Sequence, residues 1–185
     1  MIEAELKARV QAPEMVLRLL EERATGRAEV YRDTYYDDAG GGLAVKDQEL
    51  RVRTVHGPDD TRTVLTFKEA TVDEASGSKP EHETRVADAA AVHAMLKGLG
   101  YVPVIAFEKR CRNYEFEARG RRMLATLVRV PEIDGTFLEL ETLVDDDEVS
   151  PALDDVRAVL AELGIDAEDL TRELYTDAVV ATRSA

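Results

Sequence analysis

Charged and apolar side chains alternate through residues 2–10 of this chain. Glu3, Glu5, Lys7 and Arg9 hold one parity, and Ile2, Ala4, Leu6, Ala8 and Val10 hold the other. Successive side chains of a strand point to opposite faces, so a strand here has one charged and one apolar face. The two-carboxylate spacing returns at Glu81-His82-Glu83 and at Glu139-Leu140-Glu141. Between these runs lie basic ones: Leu50-Arg51-Val52-Arg53, Leu65-Thr66-Phe67-Lys68 and Glu108-Lys109-Arg110-Cys111-Arg112. Faces of this kind are hard to bury in a sandwich core. A closed barrel wide enough for water admits them, with the charged set lining the lumen and the apolar set packing outward against helices. Periodicity permits such a barrel without requiring it. Carboxylates and cations aligned on strands suit a cavity that holds metal ions and a polyanion.

At 185 residues the chain is one domain's worth, long enough to bury a core without covalent staples. Cys111 is its one cysteine, so no intrachain disulfide forms and a reducing compartment is the natural setting. The start lacks the basic and apolar regions of a leader, and no apolar run approaches the roughly 20 residues of a membrane span. A cytoplasmic protein without membrane contact is expected. A formal net charge of −14 argues against nucleic-acid binding, which needs cations to meet phosphates. The acidic surplus collects in stretches such as residues 145–148, read as solvated surface, whereas Arg and Lys concentrate in the strand-like runs.

The punctuation predicts helices at residues 13–24, with Pro13 in the first turn, at 88–99, with Asp88 as N-cap and Gly100 as stop, and from 150 to Gly164, with a last helix after Asp166. Strands are predicted near 28–37, 49–56, 62–69, 81–86, 104–116, 122–130 and 136–143. Residues 71–79 read as an exposed loop. Gly40-Gly41-Gly42 reads as a turn, since the Lys-Ser/Thr sequel of a phosphate loop is missing. Successive hairpins interrupted by helices point to an α+β chain with a mainly antiparallel sheet.

Taken in order, Glu3-Ala4-Glu5-Leu6-Lys7, Asp33-Thr34-Tyr35-Tyr36-Asp37, Leu50-Arg51-Val52-Arg53, Leu65-Thr66-Phe67-Lys68, Glu81-His82-Glu83, Lys109-Arg110 and Phe137-Leu138-Glu139-Leu140-Glu141 resemble the CYTH family, the triphosphate tunnel metalloenzymes. The Asp-Thr-Tyr-Tyr-Asp and Leu-Thr-Phe-Lys runs look closest to its class IV adenylyl cyclase branch. The resemblance implies a single domain over residues 1–185. Its eight antiparallel strands, within about 1–144, close a tunnel, and a helical segment occupies about 150–183. It implies a small-molecule triphosphate as substrate, Mg²⁺ or Mn²⁺ as cofactor, and either cyclisation of ATP to cyclic AMP and pyrophosphate or hydrolysis of thiamine, inorganic or another organic triphosphate. A non-catalytic polyphosphate- or nucleotide-binding module is a third reading, and a homodimer is compatible with all three.

Hard divalent cations bind through a few carboxylates plus the phosphates themselves, and the remaining phosphate oxygens need fixed cations. Glu3, Glu5, Glu139 and Glu141 are the metal candidates, with Glu81 and Glu83 as further ones. Lys7, Arg51, Arg53, Lys68, Arg85, Lys109 and Arg110 are the phosphate candidates, among which Lys7 and Arg53, with Glu5, are expected to carry the chemistry. Arg53 is expected to serve the ligand rather than the fold. Lys109 and Arg110 fall on opposite faces, and Cys111 stands where the family often has Arg, a loss that Arg85 could cover. Only one of Tyr35 and Tyr36 can face the lumen. Many members carry an Asp before the last Glu-x-Glu strand as a further metal ligand. Here that run reads Leu127-Val128-Arg129-Val130, with Asp134 in the next turn, so a weakened or relocated second metal is expected.

Overall fold

In the computed structural model, residues 2–73 and 76–185 are described. Eight antiparallel strands close on themselves: β1 (Ile2–Arg9), β2 (Arg27–Asp38), β3 (Glu49–His56), β4 (Thr61–Lys68), β5 (Lys79–Val86), β6 (Tyr101–Ala118), β7 (Arg121–Arg129) and β8 (Phe137–Val144). Their order around the barrel is β1-β5-β4-β3-β2-β6-β7-β8. Outside or at the ends lie α1 (Pro13–Glu21), the short α2 (Gly42–Val45), α3 (Ala89–Gly98), α4 (Val149–Glu162) and α5 (Tyr175–Ser184). Among the described residues, no helix is long and apolar enough to cross a membrane.

The barrel inverts the usual arrangement. Ile2, Ala4, Leu6 and Ala8 of β1, Met123 and Ala125 of β7 and Leu138 and Leu140 of β8 point outward into the largest apolar core. α1 covers that core with Val16 and Leu20, and α4 with Ala152, Leu153, Val156, Val159 and Leu160. On the opposite flank Tyr36, Leu50 and Val52 pack under Leu96 of α3. Asp88 caps α3 by accepting from Ala91 N at 3.1 Å, and Gly100, at φ 95°, turns the chain out of it. A third cluster lies at one end of the lumen, where Tyr175 and Val179 of α5 meet Tyr35, Ile105, Phe107 and Phe137.

Two segments depart from the expectation. The glycine turn continues into α2, whose first amides at Leu43 and Ala44 are held by the Asp37 carboxylate at 2.8 and 3.0 Å. Asp166 does cap a helical start, but only the short 3-10 turn Ala167–Asp169, and the last α-helix begins at Tyr175. Leu170 bridges Ala8, and Thr171 N donates to Lys7 O at 2.8 Å, so the edge of β1 holds this stretch out of the helix. It is needed there, because β1 pairs with β5 only at Ile2↔Pro80 and Glu3↔Lys79. Of the expected loop 71–79, Glu74 and Ala75 lie outside the described residues. Asp73 and Ser78 bridge across them, and Lys79 already belongs to β5.

Candidate active site

Strand register decides which charges meet. Across β1 and β8, Glu5 faces Glu141 and Lys7 faces Glu139. Across β3, β4 and β5, Arg53, Val64 and Arg85 share one row, Arg51, Thr66 and Glu83 the next, and Glu49, Lys68 and Glu81 the third. All these rows fall on the lumen side because partners in an antiparallel pair project to the same face. The result is a cavity of about 340 Å³ whose wall includes Glu3, Glu5, Lys7, Arg51, Arg53, Lys68, Glu81, Glu83, Lys109, Glu139 and Glu141.

Glu3, Glu5 and Glu141 form its densest anionic group, with one carboxylate oxygen from each lying within 4.8 Å of the others. Burial pushes the Glu5 carboxyl up to about 8, with Glu139 and Glu3 adding to the rise. Glu141 is driven well up by burial, then by Glu3 and Glu5. Burial also opposes charge on Glu3, but the Lys68 ammonium, a hydrogen bond with Glu141 and the Arg51 charge together outweigh it and hold that carboxyl at about 2. Three hard oxygen donors that repel one another in a shielded site fit Mg²⁺ or Mn²⁺, whose charge replaces the protons such a cluster otherwise retains. Glu139 stands apart from this trio. It faces Lys109 at 3.6 Å, and although burial works against its ionisation, Lys109 and Lys7 hold it below the usual carboxylate range. Glu81 is shared with the cations too, 3.0 Å from Lys68 Nζ, while Glu83 accepts from Thr66 Oγ1 at 3.0 Å.

The cations differ in how free they are. Arg53 is committed: its Nε and Nη2 grip both oxygens of Asp33 at 2.7 and 2.8 Å. The Asp33 side chain is 0% exposed, and burial would raise its carboxyl, yet Arg53 holds it at about 2. The expectation that Arg53 serves only a ligand is corrected, since it neutralises a buried carboxylate. Arg51 is the available guanidinium. It is buried, its Nε has no hydrogen-bond partner, and its Nη2 reaches only Thr66 Oγ1 at 3.4 Å. Lys68 bonds Glu3, and Lys7 donates to the Glu173 carbonyl. Burial pulls the Lys7 ammonium down despite Glu139 and Glu5.

Two candidates are not brought into the cavity. Arg110 projects outside the barrel with its side chain 68% exposed, 3.5 Å from Glu108, because Lys109 takes the inward parity of β6. Arg85 stands on the tunnel side of β5 but at its exposed end, beyond the residues that line the cavity, so it does not replace the Arg missing at Cys111. Tyr35 faces inward, stacked on Phe107 at 5.7 Å, while Tyr36 faces out and pairs its hydroxyl with His93 Nδ1. On β7 the lumen-side residues are Leu124, Thr126 and Val128, so that wall carries no carboxylate. Asp134 sits in the following turn, its carbonyl accepting from Arg9 at 3.2 Å.

Three lumen residues are not among the site candidates drawn from the sequence. Asp33 shares the parity of Tyr35 and lies opposite Arg53, a signal available once the β2–β3 register is known. Glu29, with a side chain 1% exposed, binds Arg62 at 2.8 and 3.0 Å, Arg27 at 2.9 Å and Asn113 at 2.8 Å at the far end of the lumen. Tyr175 enters from α5, a helix whose periodicity says nothing about a tunnel.

Comparison with known proteins agrees with this geometry. The family model of the CYTH domain matches residues 1–175. A Methanocaldococcus jannaschii protein, provisionally named an adenylate cyclase, is 24% identical over 180 residues, covering 96% of this chain and 98% of that one. The PH1819 protein of Pyrococcus horikoshii superposes with a TM-score of 0.83 at 26% identity, covering 98% of this chain and 99% of that one. A Hippeastrum protein, provisionally named an adenylyl cyclase and described as having a dominant triphosphatase activity, superposes with a TM-score of 0.64 at 17% identity, over 97% and 95% of the two chains.

Proposed function

Because this chain belongs to the CYTH domain family, we propose that it is a divalent-metal-dependent enzyme acting on a triphosphate, of the class IV adenylyl cyclase type that converts ATP to cyclic AMP and pyrophosphate. The observation that carries the reading is the Glu3, Glu5 and Glu141 cluster set in one lumen with Lys7, Arg51, Lys68 and Lys109. Mg²⁺ or Mn²⁺ held by those carboxylates would supply charge stabilisation at the phosphates. The chain's own cations do the rest. Arg51 offers an uncommitted fork to two phosphate oxygens, and Lys7 and Lys109 add compact charges from β1 and β6. Arg53, fixed by Asp33, presents its guanidinium without needing to reorganise. Held this way, the triphosphate presents its α-phosphorus to the ribose 3′-oxygen, and the cations stabilise the charge that develops on the departing pyrophosphate.

Hydrolysis is the second reading. It is favoured by the state of the inward aromatics: Tyr35 is stacked on Phe107 with Arg51 above its ring, and Arg53 lies over the Tyr31 ring at 4.5 Å, so both rings are already engaged within the protein. The Hippeastrum relative supports it as well.

Incubation with ATP, thiamine triphosphate and inorganic triphosphate, each with Mg²⁺ or Mn²⁺, followed by chromatography of the products, tests the proposal. Cyclic nucleotide supports the first reading and free phosphate the second; binding without product leaves the non-catalytic module. Glu5→Gln should lower metal-dependent turnover on the order of 10²-fold, and unchanged turnover would remove Glu5 from the site.

A further inference from the structure

The start of α5 forms part of the cavity wall through Leu174, Tyr175 and Thr176. Its N-cap residue, Leu174, has no side-chain acceptor to offer, so the first amides of this ten-residue helix have no side-chain cap. Tyr175 is 7% exposed, and its buried hydroxyl, close to the Glu139 carboxylate, makes no well-formed hydrogen bond. A phenol in that position would ordinarily find one. Its ring lies 4.5 Å from Lys7 Nζ and 4.4 Å from Lys109 Nζ, so two cations on different strands converge on one aromatic side chain. Phe137 fixes the ring edge-on at 5.2 Å, and Val179, one turn on, anchors the helix in the same cluster. The buried, poorly satisfied donor therefore sits among Glu139 and two lysines that line the lumen.

We propose that Tyr175 and the start of α5 form a terminal subsite of the tunnel, in which the Tyr175 hydroxyl donates a hydrogen bond to the end phosphate of a chain held by Lys7 and Lys109. This rests on the triphosphate reading above. The subsite has a length requirement: a ligand must reach from the Glu3, Glu5 and Glu141 cluster to α5, so the hydroxyl reads phosphate-chain length.

The test is Tyr175→Phe, which keeps the ring, its contact with Phe137 and both lysine contacts, and removes only the hydroxyl. Binding of inorganic triphosphate and of pyrophosphate, each with Mn²⁺, is measured by titration calorimetry alongside thermal melting. Loss of one hydrogen bond to a charged group should weaken triphosphate binding roughly 10-fold or more, while pyrophosphate changes less than about 3-fold by the same principle. Melting of the ligand-free variant should stay nearly level, since the hydroxyl being removed is buried and makes no well-formed hydrogen bond. Triphosphate affinity equal to that of the wild type, equal losses for both ligands, or a fall in ligand-free melting would each overturn the subsite. Failure of the unmodified protein to bind triphosphate at all would instead overturn the functional reading on which it rests.

Discussion

Arg51 and Arg53, two positions apart with side chains of the same kind, show how neighbours divide labour. Arg53 completes a bidentate pair with a carboxylate that is 0% exposed, whereas Arg51 keeps a buried Nε without a partner. Breaking a buried pair leaves an uncompensated charge, so Arg53→Ala should cost about 3–5 kcal/mol of stability. Arg51→Ala strands no such charge. It should leave melting nearly unchanged and weaken inorganic triphosphate binding by about 1.5–3 kcal/mol, the worth of a charged hydrogen bond. Melting curves and calorimetry on the two variants separate the roles, and equal melting losses would contradict the division. The alternation in residues 2–10 made Glu3, Glu5 and Lys7 legible as one face. What it left open was availability, because Asp33 becomes the partner of Arg53 only through the β2–β3 register, a non-local property.

Among the elements, those specified by local chemistry were read well and those specified by an edge were not. α3 carries its own start and stop in Asp88 and Gly100. Asp88→Ala should cost about 1 kcal/mol, the usual worth of an N-cap, seen as a lower melting temperature with triphosphate affinity intact. Residues 170–174 have no such local instruction. Their extended form answers to the backbone of β1, left free where β5 diverges, and the sequence of neither segment announces the other. The same reason hid Tyr175, since α5 starts only where the pairing with β1 ends. In β6 the parity of Lys109 over Arg110 was fixed by pairing with β2 and β7 rather than by composition.

Taken whole, a chain of net charge −14 keeps Lys7, Arg51, Arg53, Lys68 and Lys109 inside a barrel whose apolar residues face out. Opposed charges lining one cavity make the fold sensitive to what fills it. Inorganic triphosphate with Mn²⁺ at a hundredfold excess over Kd should stabilise the fold by about 2.7 kcal/mol. In a domain of this size that is a rise of several degrees in melting temperature. Either component alone should do clearly less, and a shift no larger than that from sulfate at equal ionic strength would count against the tunnel as a triphosphate site. Closure of the barrel also sets a schedule for synthesis. β1 leaves the ribosome first, yet it pairs along its whole length with β8 and takes only two partners from β5. The β2 to β5 hairpins can form as they emerge, but the first strand must wait for the last. Glu3 and Glu5 meet Glu141 only when the two join, so the carboxylate cluster proposed to hold the metal is absent from a nascent chain and arrives in one step as the barrel closes.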